Sequence, residues 1–400
     1  MSAFGAIENL KLQGASLGAR KGWVQTTKMK THSRLLPLAL LPVMSLALVH
    51  AAEAPDPNAV KEAATVAKAK AAEAAADKHY KVPRTAYGQP DLEGVWTNVS
   101  ITPLERPGQF GNSIDLTTDQ ASQLEYAAIE HYIEGNAPTD PNAPATDTTR
   151  KHCQGPGGLD CGYNSAWKDS ATTVARVDGQ PRSSFITSTP NGRIPAYKAG
   201  YQNASTQTRD EGEGSATPTR NPTDNPEDRA LGERCITSFG YSAGPVMLPL
   251  LYNNNYAFAQ SKDAVAILVE MVHDVRMIHI GAAHRADGLR PWFGDSIGRY
   301  DGDTLVVETT NFPKAQALRG AWKELKVTER FTRKGPRRLL YQFTVEDPAV
   351  WDQPWGGEYE FTSSKGRIYE YACHEGNYAL AGVLAGARAE EAAARQNGRR

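Results

Sequence analysis

The sequence predicts a mainly β fold, an antiparallel meander that closes into a barrel or a sandwich, with an N-terminal helical segment and a C-terminal helix. Three observations support this prediction. Short runs of alternating apolar and polar residues recur in the C-terminal half between tight turns. Glycine and proline number 35 and 25 among 400 residues, which favours turns over long helices. The hydrophobic fraction of 40% is typical of a folded chain. A lipocalin-like topology is one way to close such a meander.

Residues 35–49 form the longest apolar run and resemble the core of an export signal. The run of about fifteen residues follows three basic residues and precedes the small residues Ala52 and Ala54. We expect the signal peptide to be cleaved after one of these two alanines. It is shorter than the roughly 20 apolar residues that a membrane-spanning helix needs. We therefore interpret residues 1–54 as a leader and signal peptide, with Met29 as an alternative start. The mature protein is expected to be periplasmic or secreted, without a stable membrane span.

The segments that follow the leader differ in composition. Residues 55–81 are rich in alanine, which predicts a helical spacer whose apolar face buries little area. Residues 82–235 predict an irregular α+β segment with long loops, because polar stretches cover 136–150 and 202–227. Helical spacing of apolar residues predicts one amphipathic helix over 115–134.

Residues 236–390 carry the strand pattern of the predicted antiparallel barrel or sandwich core. The turn Asp301-Gly302 is typical of hairpins, because glycine readily adopts the positive φ that such turns need. We expect roughly eight or nine strands, within residues 254–260, 264–271, 275–280, 297–310, 326–347 and 356–374. The core and segment 82–235 are expected to form one compact unit, 82–390, before a basic tail at 391–400.

Four cysteines, Cys153, Cys161, Cys235 and Cys373, are expected to meet an oxidising compartment, where an even number favours disulfides. Three pairings are possible. Cys153 and Cys161 bracket a glycine-rich loop, so we favour their pairing and, by elimination, the pairing of Cys235 with Cys373.

Missing motifs exclude several classes of enzyme. The sequence has no GxGxxG, GxxxxGK[ST] or HExxH pattern, so we expect no nucleotide cofactor and no zincin centre, and we predict no cofactor. The net charge of −1 argues against nucleic acid as a partner. Ser242 lies in a GxSxG pattern, but the prolines that follow favour a glycine-rich turn over a nucleophile elbow.

Two imidazole–carboxylate pairs are the candidate acid–base groups. These are His273-Asp274 and His374-Glu375, since an imidazole beside a carboxylate can transfer protons near neutral pH. Arg276 is the candidate for stabilising negative charge that develops on a substrate.

A metal centre is the alternative use of the histidines. His273, His279 and His284 lie within twelve residues, and the first two would share one face of a continuous strand, with Asp295 as a further ligand. The competing interpretation is that His273-Asp274 forms a turn, which separates the imidazoles.

Aromatic and polar residues near the same strands are candidates for substrate binding. Aromatic side chains wall many small-molecule sites, and arginine can hold a substrate carboxylate. The candidates are Tyr256, Trp292, Arg299, Trp351, Trp355 and Asn377. Core packing explains the aromatic residues equally well.

Several motifs carry a family resemblance. They are YNNNYAFAQ, EMVHDVRMI, GDSIGRYDGDTLVVETTNF, ERF, DPAVWDQPW and EYACHEGNY, together with PDLEGVWTN and the NGRIP turn. Over about residues 88–390 the chain resembles a family of exported bacterial proteins of unknown function. The resemblance implies export and assigns no residue a role. This chain has GAAHRADGLRPW where the family has a more charged, DGRPH-like stretch.

The combined hypothesis is a periplasmic, cofactor-independent acid–base enzyme, a lyase, isomerase or hydrolase, that acts on a small apolar or aromatic molecule. Under this hypothesis, imidazole, carboxylate and indole groups line a cavity, or hollow, inside the barrel. One alternative is a non-catalytic β-barrel that binds a small molecule, and another is a metal-dependent hydrolase that uses the clustered histidines. The sequence leaves open the substrate, the oligomeric state and whether the protein is an enzyme.

Overall fold

The computed structural model describes residues 57–135, 169, 171–201, 223–238 and 244–398, and within them nine strands close into a barrel. The barrel strands are β1 (Gly94–Thr97), β4 (Asn255–Gln260), β5 (Ala264–Val269), β6 (Val275–Ile280), β7 (Asp295–Asp301), β8 (Thr304–Thr310), β9 (Lys326–Gly335), β10 (Arg338–Glu346) and β11 (Trp355–Ser363). Strands β2 (Arg176–Val177) and β3 (Gln180–Pro181) form a separate small sheet. The predicted mainly β fold, closed as a barrel, is confirmed.

One pair of neighbouring strands, β6 and β7, is parallel, whereas the other barrel pairs are antiparallel. In a closed barrel with an odd number of strands, neighbouring strands cannot all be antiparallel. The antiparallel meander expected from the sequence therefore needs one parallel pair to close. Parallel neighbours need a connection of a dozen or more residues. Residues 281–294 supply it and are called the crossover below. The nine strands also distinguish this barrel from the eight-stranded lipocalin form.

Glycine is required where the crossover rejoins the wall. Gly294 has φ +70°, and a Cβ there would lie 2.7 Å from the Thr310 carbonyl oxygen. A larger residue would be strained and would push β7 away from β8.

Strand β1 comes from the N-terminal half and closes the barrel by pairing with both β11 and β4. The N-terminal and C-terminal halves of the described chain therefore share one barrel wall. Residues 356–374 were expected to form a pair of strands, but they form only β11, which stops at Ser363, and no strand forms between residues 364 and 377.

Side chains fill the barrel interior. Alternation along β5 buries Val265, Ile267 and Val269, as a one-sided strand requires. Large aromatic residues occupy the centre, namely Trp96, Tyr256, Phe258, Phe331, Tyr341, Phe343, Trp355, Tyr359 and Phe361. Tyr341 packs edge-on against Tyr359 with ring centroids 5.6 Å apart. In the described residues, packed rings replace the hollow that the sequence hypothesis expected.

The described residues include three helices, α1 (Pro57–Ala76), α2 (Thr118–Gly135) and α3 (Tyr378–Asn397). Thr117 and Gln120 form a reciprocal capping box at the start of α2. The alanine face of α1 packs against α2 and the β2–β3 turn, where Ala71 approaches Gly179 closely. Helix α3 continues through most of the predicted basic tail. None of the described helices combines the length and apolar character that crossing a membrane requires.

Candidate functional site

One end of the barrel gathers polar residues from distant parts of the chain, and we call it the mouth. It is the end at which β4 begins, β5 ends and β6 begins, and it includes Asn253–Asn255, residues 270–274 and Asp169. Two motifs noted in the sequence, YNNNY and EMVHDV, meet there.

Consecutive asparagines organise the mouth. Asn253 Nδ2 donates to Ser238 Oγ over 2.6 Å, and its Oδ1 accepts from the Met271 amide over 2.7 Å. Asn254 Nδ2 donates to Asp169 Oδ2 over 3.0 Å. Asn255 Nδ2 donates to both carboxylate oxygens of Glu270, each at 3.0 Å. Short amide side chains thereby fix two carboxylates in place.

Both carboxylates are desolvated. Burial raises the pKa of Asp169 above its ordinary value. Burial also raises the pKa of Glu270, and the negative charge of Asp169 raises it further. The hydrogen bonds that lower these two pKa values come from neutral asparagine groups, not from lysine or arginine. Desolvated acids of this kind are typical of proton-transfer sites.

The backbone of the mouth is strained. Asn253 has φ 72° and Val272 has φ 61°, both in the left-handed region. This conformation is uncommon for asparagine and a genuine outlier for a β-branched residue such as valine. Strained backbone persists only where the surrounding structure holds it in place, and residues of this kind cluster at functional sites.

His273-Asp274 lies at the mouth, but as part of a turn. A 3-10 turn covers Met271–His273 and β6 begins only at Val275, so His273 and His279 do not share a continuous strand. The side chain of His273 falls outside the described part of the structure. Asp274 is half-buried.

Arg276 points into the barrel and is only 2% exposed. Its guanidinium forms an ion pair with Glu329, which is 0% exposed, and also donates to Thr309 Oγ1 at 2.9 Å and Ser296 Oγ at 3.1 Å. Glu329 Oε1 also accepts from the Tyr341 hydroxyl over 2.9 Å. The predicted anion-stabilising arginine is therefore engaged by an internal carboxylate.

A chain of hydrogen bonds runs from this ion pair toward the mouth. Tyr341 Oη accepts from the Met247 amide over 3.1 Å, and Tyr359 donates to the Met247 carbonyl. Asn98 Nδ2 donates to Tyr359 Oη at 3.2 Å, and Tyr256 Oη donates to the Asn253 carbonyl at 3.3 Å. Tyr256, a predicted substrate-binding residue, is thus a buried part of the core.

The two other histidines of the predicted metal trio lie outside the barrel. His279 is exposed on β6, whose alternate residues Arg276 and Ile278 point inward. His284, on the crossover, has Nδ1 2.9 Å from Asp295 Oδ2 and Nε2 3.2 Å from Glu308 Oε1. Among the described residues, no group of three or more His, Cys, Asp or Glu side chains could hold a metal ion.

The remaining predicted binding residues are dispersed. Trp351 and Trp355 pack edge-on in the core at 5.6 Å, and Arg299 is exposed on β7. Trp292 is 44% exposed. It lines a small half-open cleft together with Gly244, Pro245, Phe293, Phe312 and Gln316.

The second predicted acid–base pair lies on the exposed surface of the C-terminal part of the chain. His374 and Glu375 are exposed in the irregular segment before α3, and Asn377 caps α3 by accepting from the Leu380 amide. Cys235 and Cys373 form the predicted disulfide, with Cα atoms 5.8 Å apart. Cys153, Cys161, Ser242 and the leader lie outside the described residues.

No family model, curated protein or solved structure matches this chain. The candidate site therefore rests on its own geometry.

Sequence reasoning missed Asp169, Glu270 and the asparagines at the mouth. Three successive asparagines at the start of a strand were the available signal, because asparagine is depleted in strands and tolerates the left-handed region.

Proposed function

We propose that this protein is an exported, cofactor-independent acid–base enzyme of the lyase, isomerase or hydrolase type, with Glu270 and Asp169 as its proton-transfer groups. One observation carries the proposal. Two carboxylates with raised pKa values lie together at a strained barrel end, held by asparagine amides. The disulfide and the closed barrel are consistent with an exported protein. We also propose that it belongs to the exported bacterial family that its motifs resemble.

The two acids have different roles in this proposal. In this proposal Asp169 acts as the ionised partner, and its negative charge raises the pKa of Glu270. Glu270 then donates its proton to the substrate as general acid, and Asp169 accepts a proton as general base. Acid–base transfer of this kind needs no oxidant and no metal.

The proposed substrate is a small apolar or aromatic molecule. The cleft beside Trp292, Phe293 and Phe312 supports this class, because aromatic walls bind flat apolar ligands. The filled interior excludes a ligand from the centre of the described barrel, so binding is expected at its ends or outer rim.

The test begins with ligand discovery. A library of aromatic and sugar-derived molecules is screened by thermal shift, since a ligand that binds the folded state raises its apparent stability. Compounds that bind are then incubated with the protein, and NMR follows any conversion to product.

Variants of the two mouth acids test whether these residues carry out the proton transfer. Glu270→Gln and Asp169→Asn should each lower turnover by about 10²- to 10⁴-fold while the thermal shift persists. The matched controls Glu324→Gln and Asp352→Asn alter exposed acids and should leave turnover unchanged. Turnover within tenfold of the parent chain in both mouth variants would refute the assignment.

The alternative is a non-catalytic protein that binds a small molecule, and the half-exposed Trp292 in a cleft that also contains Phe293 and Phe312 favours it. It predicts ligands that raise the melting temperature and remain chemically unchanged. Trp292→Ala should then abolish the shift, whereas Glu270→Gln should not affect it.

A further inference from the structure

The C-terminal arm, residues 364–398, contributes almost nothing to the core. Beyond Phe361, no described residue is buried. Helix α3 spans 20 residues without one buried side chain. Since most helical stability in proteins comes from packing an apolar face, this arm needs another form of attachment.

The Cys235–Cys373 disulfide provides that attachment. Cys235 is 5% exposed and lies in segment 223–238, whereas Cys373 is half-buried in the arm. Polar contacts accompany the covalent bond. Asn377 Nδ2 donates to the Glu233 carbonyl at 2.7 Å, and Arg388 donates to the Thr223 and Asp224 carbonyls at 2.6 and 3.1 Å.

The barrel does not depend on this crosslink. Both cysteines lie outside the strands, and Cys373 comes ten residues after the end of β11 at Ser363. The strand ladders close without them. Cys235 also has φ 57°, a left-handed conformation that L-residues adopt rarely.

We propose that the Cys235–Cys373 disulfide is a redox clasp whose reduction releases the C-terminal arm while the barrel stays closed. A thiolate of a dithiol reductant attacks Sγ of Cys373, the more accessible sulfur, and Cys235 leaves as a thiolate that takes up a proton. The second thiol of the reductant resolves the mixed disulfide. Two electrons pass from the dithiol, which becomes a disulfide, and Cys235 and Cys373 end as thiols. This inference is independent of the proposed function.

Hydrogen exchange followed by mass spectrometry tests the clasp. The full chain carries Cys153→Ser and Cys161→Ser, so that dithiothreitol can reduce one pair only. Reduction should speed exchange of the amides in residues 371–397 at least tenfold, whereas β9, β10 and β11 should change less than twofold. Arg388→Ala, which keeps the disulfide, should change the arm less than twofold.

Two results would overturn the proposal. An arm that exchanges equally slowly after reduction is held by its other contacts. Barrel strands that accelerate together with the arm show a disulfide that supports the whole fold. The variant Cys235→Ser/Cys373→Ser, with Cys153 and Cys161 intact, repeats the comparison without reductant and decides it if the first variant fails to fold.

Discussion

Two polar clusters lie at different depths in the barrel, and they differ in how their charges are compensated. Inside the wall, Glu329 faces the guanidinium of Arg276 and the hydroxyl of Tyr341. At the mouth, Asp169 and Glu270 face asparagine amides. The first cluster pairs opposite charges, whereas the second brings two acids together.

This difference separates a structural role from a chemical one. Opposite charges buried together satisfy each other and fix the positions of the strands that carry them. Two desolvated acids instead hold protons at higher pH, because burial disfavours both charged forms and the negative charge of Asp169 further disfavours that of Glu270. The mouth is therefore the better candidate for chemistry.

The largest expected effect comes from breaking the balanced pair. Arg276→Met leaves Glu329 buried without its cation, so we expect a loss of about 3–5 kcal/mol in the free energy of unfolding. Urea denaturation measures it. The double variant Arg276→Met/Glu329→Leu should recover at least half, because no uncompensated charge remains. A cost below about 1 kcal/mol for the single change would contradict the structural role.

The sequence alone predicts most of the wall. Alternation and turn residues locate β4 to β11, because each strand buries one face and short turns join successive strands. The strand predicted in segment 366–374 does not form. Its isoleucine and tyrosines favour a strand, yet β11 already pairs with β1 and β10, so no barrel edge is left for another strand.

The candidate site is harder to predict because it is non-local. Asp169 and Glu270 lie about a hundred residues apart, and only the closed barrel brings them to the same asparagine run. Pairing direction is also non-local, since ring closure makes β6 and β7 parallel. Conversely, the sequence suggests a catalytic role for Arg276 because it does not show that Glu329, on a distant strand, is the partner of its charge.

Lys70 extends the comparison to a desolvated cation. Burial, together with the positive charge of Arg176, lowers the pKa of Lys70 to about 8. Because the folded value is below the unfolded one, the unfolded chain binds more protons between about pH 8 and 10.5, and the free energy of unfolding rises across that window.

Lys70→Met removes this penalty. The variant should be more stable than the parent chain by about 2 kcal/mol at pH 7, and the gap should have largely closed by about pH 11. Urea denaturation at both pH values measures the gap. Lys68→Met, at an exposed position of the same helix, should show no such pH dependence. A gap that is constant with pH would mean that packing, not desolvation, explains the change.

The smallest expected effect is the most informative about the mouth. Because the pKa of Glu270 is raised, the folded chain binds more protons than the unfolded chain above about pH 4.3, so stability falls as pH rises through that window. Glutamine cannot ionise, so the stability of Glu270→Gln relative to the parent should increase by about 1 kcal/mol between pH 4.5 and 7. Paired urea titrations measure this change, with Glu375→Gln as the exposed control. If the stability of Glu270→Gln relative to the parent does not change with pH, Glu270 titrates like a surface carboxylate. That result would contradict the proposed role of the mouth acids in proton transfer.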